Sequence, residues 1–336
     1  MRKLAIFSFL FLIMVTGCAM KRDAIGDPDT LIVVADSTDW HRTAALVQPA
    51  FAPEIPTPQP EPWYDIKVVP PDKFSQFMTY KSILIVSLLR PDSPSLRFIN
   101  RLFSENLVQQ MKSGELPVAT KHDQWRRQQL LMILTAPSYD GFAETIHQRK
   151  TQLRGEFDKM FVQRQEHYLY GRYEQKKLEK RLQETYNWRL RIPRDWIILH
   201  EEPEQQFIWL GQHLPIRWLS VSWEKQQAPV QVDSAMAVRL RKQVGQDRYG
   251  DILTNDDYLR AEKITLNGHP AIRLRGIWAH AKEAKGGPFT GIASYDPRTQ
   301  RLFYLDAQVF APDMKKLVFL RQLEIILSTF TAGPAQ

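Results

Sequence analysis

The sequence predicts an α+β chain of two α/β-sandwich-like domains, with mixed or antiparallel sheets and a long helix closing the first domain. Three observations carry this expectation. Continuous β-branched runs at 30–35 and 82–88 have the composition of strands buried on both faces. A charged stretch from 139 to about 185 repeats its apolar residues at helical intervals. From Trp188 onward short apolar runs alternate with turn residues in the manner of antiparallel strands.

The chain begins with a leader. Met1-Arg2-Lys3 is a positive n-region, and Leu4 to Thr16 is an apolar stretch too short to span a bilayer. Val15-Thr16-Gly17 then precedes Cys18, the only cysteine among 336 residues. That arrangement predicts a lipoprotein signal peptide over 1–17, cleavage before Cys18 and lipidation of its thiol. Several acyl chains would anchor the protein far more firmly than the single chain that binds only reversibly. Residues 18–29 read as a tether, 30–186 as the first α+β domain and 187–331 as the second. About 320 residues remain after cleavage, beyond the roughly 250–300 at which single cores split.

Removing Arg2 and Lys3 with the leader takes the 45 basic residues to 43 against 37 acidic, an excess of +6. An excess of that size suits an anionic envelope surface, and it is too dispersed for a nucleic-acid binder. The expected address is the cell envelope, on the outer membrane in preference to the inner.

In the first domain, Thr30 to Ala35 is a buried strand and Asp36-Ser37-Thr38-Asp39 supplies capping groups for a helix over about 40–51. The alternate prolines from Pro53 to Pro62 form a stiff strap, read as a connection over the core. Trp63 to Val69 follows as a strand, then a short helix around 72–78 and a strand over 82–88. Segments at 105–111, 118–122 and 128–135 read as antiparallel strands, with a turn at Ser113-Gly114. The long helix from Ser138 or Tyr139 to about Thr185 carries Phe142, Ile146, Leu153, Phe157, Phe161 and Tyr168 on one stripe. Its charges of both signs mark a solvated face, and Gly155 and Gly171 are weak points.

In the second domain, strands are expected at 189–193, 196–199, 207–210, 218–223, 262–266, 271–279, 289–295 and 302–310. A basic helix falls over 233–244, and Pro312 opens a final helix over 314–330. A sheet with helices on one side is the economical arrangement.

Several of these segments resemble a known family. The Pro58-Gln59-Pro60-Glu61-Pro62 strap, Trp196 to Trp209, Arg275 to Trp278, Gly286-Gly287-Pro288-Phe289 and Arg321 to Leu327 are similar to the domain-of-unknown-function 4837 family of bacterial envelope lipoproteins. The similarity covers nearly the whole mature chain. It implies a lipidated N-terminus and two α+β halves, and brings no activity, cofactor or catalytic residue. The second half also resembles Mog1/PsbP-type folds, on its strand order and the Gly-Gly-Pro-Phe strand entry.

Motifs for chemistry are sparse. The eight histidines show no metal-binding spacing, no glycine-rich phosphate loop or Gly-x-Ser-x-Gly elbow occurs, and no cofactor is implied. Asp195 with Glu201, or Glu283 with Asp296, are carboxylates that the fold would have to pair. The candidate ligand-binding residues are Arg275, Trp278, Gly286, Gly287, Pro288 and Phe289, where glycines permit close backbone approach and aromatics flank a turn. Arg321 and Glu324 read as a structural pair on the last helix. The resulting expectation is a lipid-anchored, non-catalytic binding or assembly component, with an envelope protein or glycan as partner. The alternative is a lipid-anchored envelope hydrolase whose acid and base meet only in the fold.

Overall fold

The computed structural model describes residues 21–333 apart from Arg172. The leader over 1–17 and Cys18 lie outside the described residues.

The first half is built on a five-stranded sheet. Its strands are β1 (Thr30–Val34), β2 (Asp65–Val69), β3 (Ser82–Ser87), β4 (Val118–His122) and β5 (Leu130–Thr135), in the order β2-β1-β3-β5-β4. The first four in that order run parallel and β4 pairs antiparallel with β5, a mixed sheet. The continuous apolar runs are explained by cover on both faces. Leu31, Val33, Leu84, Val86, Met132 and Leu134 pack beneath α1 (Ser37–Phe51) and α4 (Tyr139–Tyr170). The alternate residues Ile32, Val34, Ile83, Ile85, Leu131 and Ile133 pack against α2 (Pro94–Leu102), α3 (Glu105–Ser113) and a 3₁₀ segment at Pro71–Gln76.

Two expectations need correction here. Residues 105–111 form α3 and not a strand: Val108 and Met111 recur at helical spacing toward the sheet, and Gly114 at φ 79° ends the helix in the left-handed conformation. The single long helix breaks after Tyr170, where Gly171 caps α4, and resumes as α5 (Lys176–Tyr186). The segment read as a tether is held on the fold from Asp23 onward, with Asp23 bridged to Arg127, Ile25 bridged to Tyr80 and Ala24 buried.

The second half is a seven-stranded antiparallel sheet. It comprises β6 (Ile197–Glu202), β7 (Phe207–Gln212), β8 (Ile216–Lys225), β9 (Ile252–Leu266), β10 (His269–His280), β11 (Gly286–Asp296) and β12 (Arg301–Phe310), in the order β9-β10-β11-β12-β8-β7-β6. Helices cover both faces, contrary to the one-sided expectation. Ile208, Leu219, Val221, Leu305 and Ala307 meet α7 (Leu317–Ser328), while Phe207, Leu274, Trp278, Phe289 and Tyr304 meet α6 (Ser234–Asp247). The reason is that both faces of the central strands are apolar, so each needs its own cover. The strand expected over 189–193 shrinks to a two-residue ladder, Trp188–Arg189 with Thr331–Ala332.

Helix α4 serves both cores. Its first turns pack on the first sheet through Phe142 to Met160, and Phe161, Leu169 and Tyr170 enter the second core. The proline strap crosses the same junction. The Glu61 carboxylate accepts from the backbone N–H of Lys316 at 2.8 Å and of Leu317 at 2.9 Å, capping α7, which has no side-chain cap of its own. Asp158 accepts from Trp63 Nε1, Tyr64 OH and Arg321 Nη2 at 2.7–2.8 Å, tying strap, α4 and α7 together.

Candidate functional site

The residues singled out between 275 and 289 divide across the sheet. The Arg275 guanidinium faces α7 and donates to both Glu324 oxygens, at 2.5 and 2.9 Å. Trp278 and Phe289 are buried on the opposite side under α6, where Trp278 Nε1 donates to the Val309 carbonyl at 3.3 Å. A Cβ on Gly287 would overlap the Val309 carbonyl oxygen, and one on Gly286 would lie 2.8 Å from the Trp278 carbonyl oxygen. These glycines, with buried Pro288, therefore permit close strand–strand approach, and the six residues line no common surface. Arg321 and Glu324 do not pair with each other: Arg321 goes to Asp158 and Glu324 to Arg275.

The Asp36 cluster at the carboxyl end of β1 is also spoken for. Asp36 caps α1 through Thr38 and Asp39 N–H groups and accepts from Arg90 and the Ser95 N–H. Buried Asp39 accepts from Ser87 Oγ, Leu88 N–H and Arg90 Nε. With every oxygen engaged, capping accounts for the cluster. The carboxylates named as acid–base pairs have separate partners: Asp195 with Arg194, Glu201 with Arg181 and Tyr186, Glu283 with Lys285, and Asp296 with Thr299, Arg298 and His269. Ser294 shares a cavity of about 610 Å³ with His269 and Asp296, yet its hydroxyl donates to the Pro270 carbonyl and makes no hydrogen bond to His269, as a nucleophile–base pair would require.

Four buried arginines discriminate structure from site. Arg321 and Arg241 are neutralised by Asp158 and Asp306, each at 2.8 Å. Arg164 donates to two backbone carbonyls and Ser82 Oγ. Arg217 differs. It is 4 % exposed, yet Nη1 donates to the neutral amide of Gln322 at 2.6 Å, Nη2 donates to Gln212 Oε1, and Nε has no partner among the described residues. No described carboxylate pairs with it, and burial pushes its guanidinium below the ordinary arginine value, partly countered by Tyr168.

Local sequence explains the placement. Along β8 the side chains alternate, and Arg217 shares the inward face of Leu219 and Val221. Gln322 on α7 accepts from Arg217 and donates to Gln165 of α4 at 2.7 Å, so both halves fix the guanidinium. Arg217 lines a cavity of about 530 Å³ between the C-terminal end of α4, the 193–196 loop and the β7–β8 hairpin. Tyr168 and Tyr173 stand on its wall, 72 % and 60 % exposed, with Arg194 stacked 4.7 Å over the Tyr173 ring. Arg217 and Arg194 against Asp195 leave the walls with one net positive charge. The sequence reading passed over Arg217; the available signal was an arginine at the alternate positions of β8 that next hold Leu219, Val221 and Trp223.

Residues 174–329 match the family described as domain of unknown function (DUF4837), and residues 24–170 match a second, domain of unknown function (DUF8532). The DUF4837 match thus covers the second half and not nearly the whole mature chain, and the strap at 58–62 falls within DUF8532. No curated protein matches the chain. Among solved structures, the Ran-binding protein Mog1p of Saccharomyces cerevisiae is 10 % identical over 44 % of this chain and 91 % of its own, with a TM-score of 0.32. A mutant of the protein Mog1 gives 10 %, 44 %, 92 % and 0.32. LpqN, involved in cell envelope biogenesis of Mycobacterium tuberculosis, is 18 % identical over 44 % of this chain and 83 % of its own, with a TM-score of 0.28. Similarity of this degree carries no argument, and the second fold stands on its own strand order. Residues 174–329 thus carry the match to the DUF4837 family, next to the DUF8532 match over residues 24–170.

Proposed function

We propose that this protein is a lipid-anchored component of the cell envelope, bound through Cys18, that acts by binding and holds an anionic group at Arg217. The observation that carries the binding role is a buried guanidinium that has no carboxylate partner among the described residues and lines a cavity of about 530 Å³. Burying an ion without a counter-charge costs several kcal/mol, and an incoming anion supplies that counter-charge with charge-assisted hydrogen bonds. Binding is favoured over hydrolysis because the acid–base pairs read from the sequence are engaged elsewhere. The address rests on the leader and on the cysteine that follows Gly17.

Trp196 lines the cavity and reports on it. Titrating the intact protein with acetate or sulfate should change tryptophan fluorescence saturably, and Arg217→Met should abolish the change. Equal binding by the variant would refute the site. Metabolic labelling with palmitate should mark the wild type and leave Cys18→Ala unlabelled; label on the variant would refute the anchor.

A further inference from the structure

The Arg217 cleft has an internal gradient that goes beyond a charge. Its cation is almost wholly buried, whereas the Tyr168 ring at its wall is mostly exposed and stacks on no other aromatic ring among the described residues. Burial of a hydrophobic core explains neither feature, since an exposed ring contributes little to packing. Gln212 lines the same cleft; its oxygen accepts from Arg217 and its amide NH₂ donates to no described residue. A buried cation, an amide donor and an open aromatic face thus share one cavity.

From this combination we infer that the cleft takes a sugar ring bearing one carboxylate or phosphate, an inference that rests on the Arg217 reading. The anion enters first and accepts from the guanidinium. The ring hydroxyls then meet Gln212, and the ring's C–H face stacks on the electron-rich face of Tyr168. A long acyl chain fits poorly, because His167, Arg194, Asp195 and Gln212 interrupt the apolar wall. A free acidic sugar and the terminal residue of an acidic envelope glycan present the same group, and the test separates them by including both.

The test is calorimetric titration of the intact protein with glucuronate, glucose 6-phosphate, acetate, inorganic phosphate, neutral glucose and a glucuronate-terminated oligosaccharide. The acidic sugars should bind at least tenfold more tightly than acetate or phosphate, equivalent to about 1.4 kcal/mol, and glucose should not bind. Tyr168→Ala, an exposed position, should erase that advantage. Arg217→Lys, which keeps the charge and loses the planar fork, should weaken every anion. A terminal glycan as the source predicts that the oligosaccharide binds at least as well as glucuronate; weaker binding assigns the cleft to the free sugar. If acidic sugars bind no better than acetate or phosphate, the sugar inference fails and the anion site stands. If no anion binds, both fail.

Discussion

The deepest ion pair in the protein makes a quantitative prediction. Arg241 on α6 and Asp306 on β12 are both 0 % exposed and meet at 2.8 Å. Asp306 also accepts from Tyr249 OH, Tyr304 OH and Gln308 Nε2, each at 3.1 Å, while Arg241 Nε and Nη2 lack partners among the described residues. Asp306→Asn keeps volume and shape but removes the charge opposite Arg241. Leaving one partner of a buried pair uncompensated costs about 3–5 kcal/mol. Removing both charges with Arg241→Met and Asp306→Asn should restore most of this, because neither ion remains and the amide keeps one oxygen that accepts from a neighbouring tyrosine. A coupling of at least about 2 kcal/mol is therefore expected. Urea unfolding at pH 7, followed by the fluorescence of Trp209, Trp218 and Trp278 around α6, measures it. Arg241→Met alone carries a pH signature. Burial, against the pull of Arg241, already raises the Asp306 pKa, and losing the arginine raises it further. A raised carboxyl stabilises the folded state at low pH and loses that contribution as pH rises, so this variant should be least impaired in acid. A cost below about 1 kcal/mol for Asp306→Asn, or additive single effects, would refute the reasoning.

Three further perturbations follow from geometry. Burial tends to raise the Glu174 carboxyl, but hydrogen bonds from Arg191 and Lys176 outweigh it and hold the pKa down to about 2, against 4.5 unperturbed. Its contribution is present above the unperturbed value and fades as pH falls toward 2. Glu174→Gln should lower the melting midpoint at pH 7 and match the wild type near pH 2; a constant gap contradicts this. Gly287→Ala must displace the Val309 carbonyl and should cost about 3 kcal/mol, whereas Gly155→Ala in α4, where a Cβ meets nothing within 4 Å, should stabilise by about 0.5–1 kcal/mol. Opposite signs in denaturant melts are the check. Glu61→Ala uncaps α7 and should cost about 1–2 kcal/mol, with faster hydrogen exchange at Lys316 and Leu317 amides; unchanged exchange would show the cap to be idle.

Legibility in the sequence followed the range of the interactions. Strands β1, β3 and β5 were readable because both faces of each are buried, which forces an uninterrupted apolar run. Asp36 was readable as a cap because capping joins residues two or three apart. Residues 105–111 misled because seven residues with three apolar positions fit either period, and the face that α3 covers belongs to strands elsewhere in the chain. The glycines at 286 and 287 were seen, but a glycine that admits a ligand and one that admits a neighbouring strand are identical in sequence. Only the Val309 carbonyl distinguishes them.

The chain by itself determined the α+β class, the division into two halves and most element types, since each depends on local periodicity, capping or composition. Tertiary structure decided the cover on both faces of the second sheet, the sharing of α4 between two cores and the isolation of Arg217. Charge compensation depends on what arrives from distant segments. Asp158 reaches Arg321 across 163 positions, and Gln322, a neutral amide, reaches Arg217 across 105. Which buried arginine finds a carboxylate, and which meets only neutral acceptors, is settled by the packing of distant elements and by no local pattern.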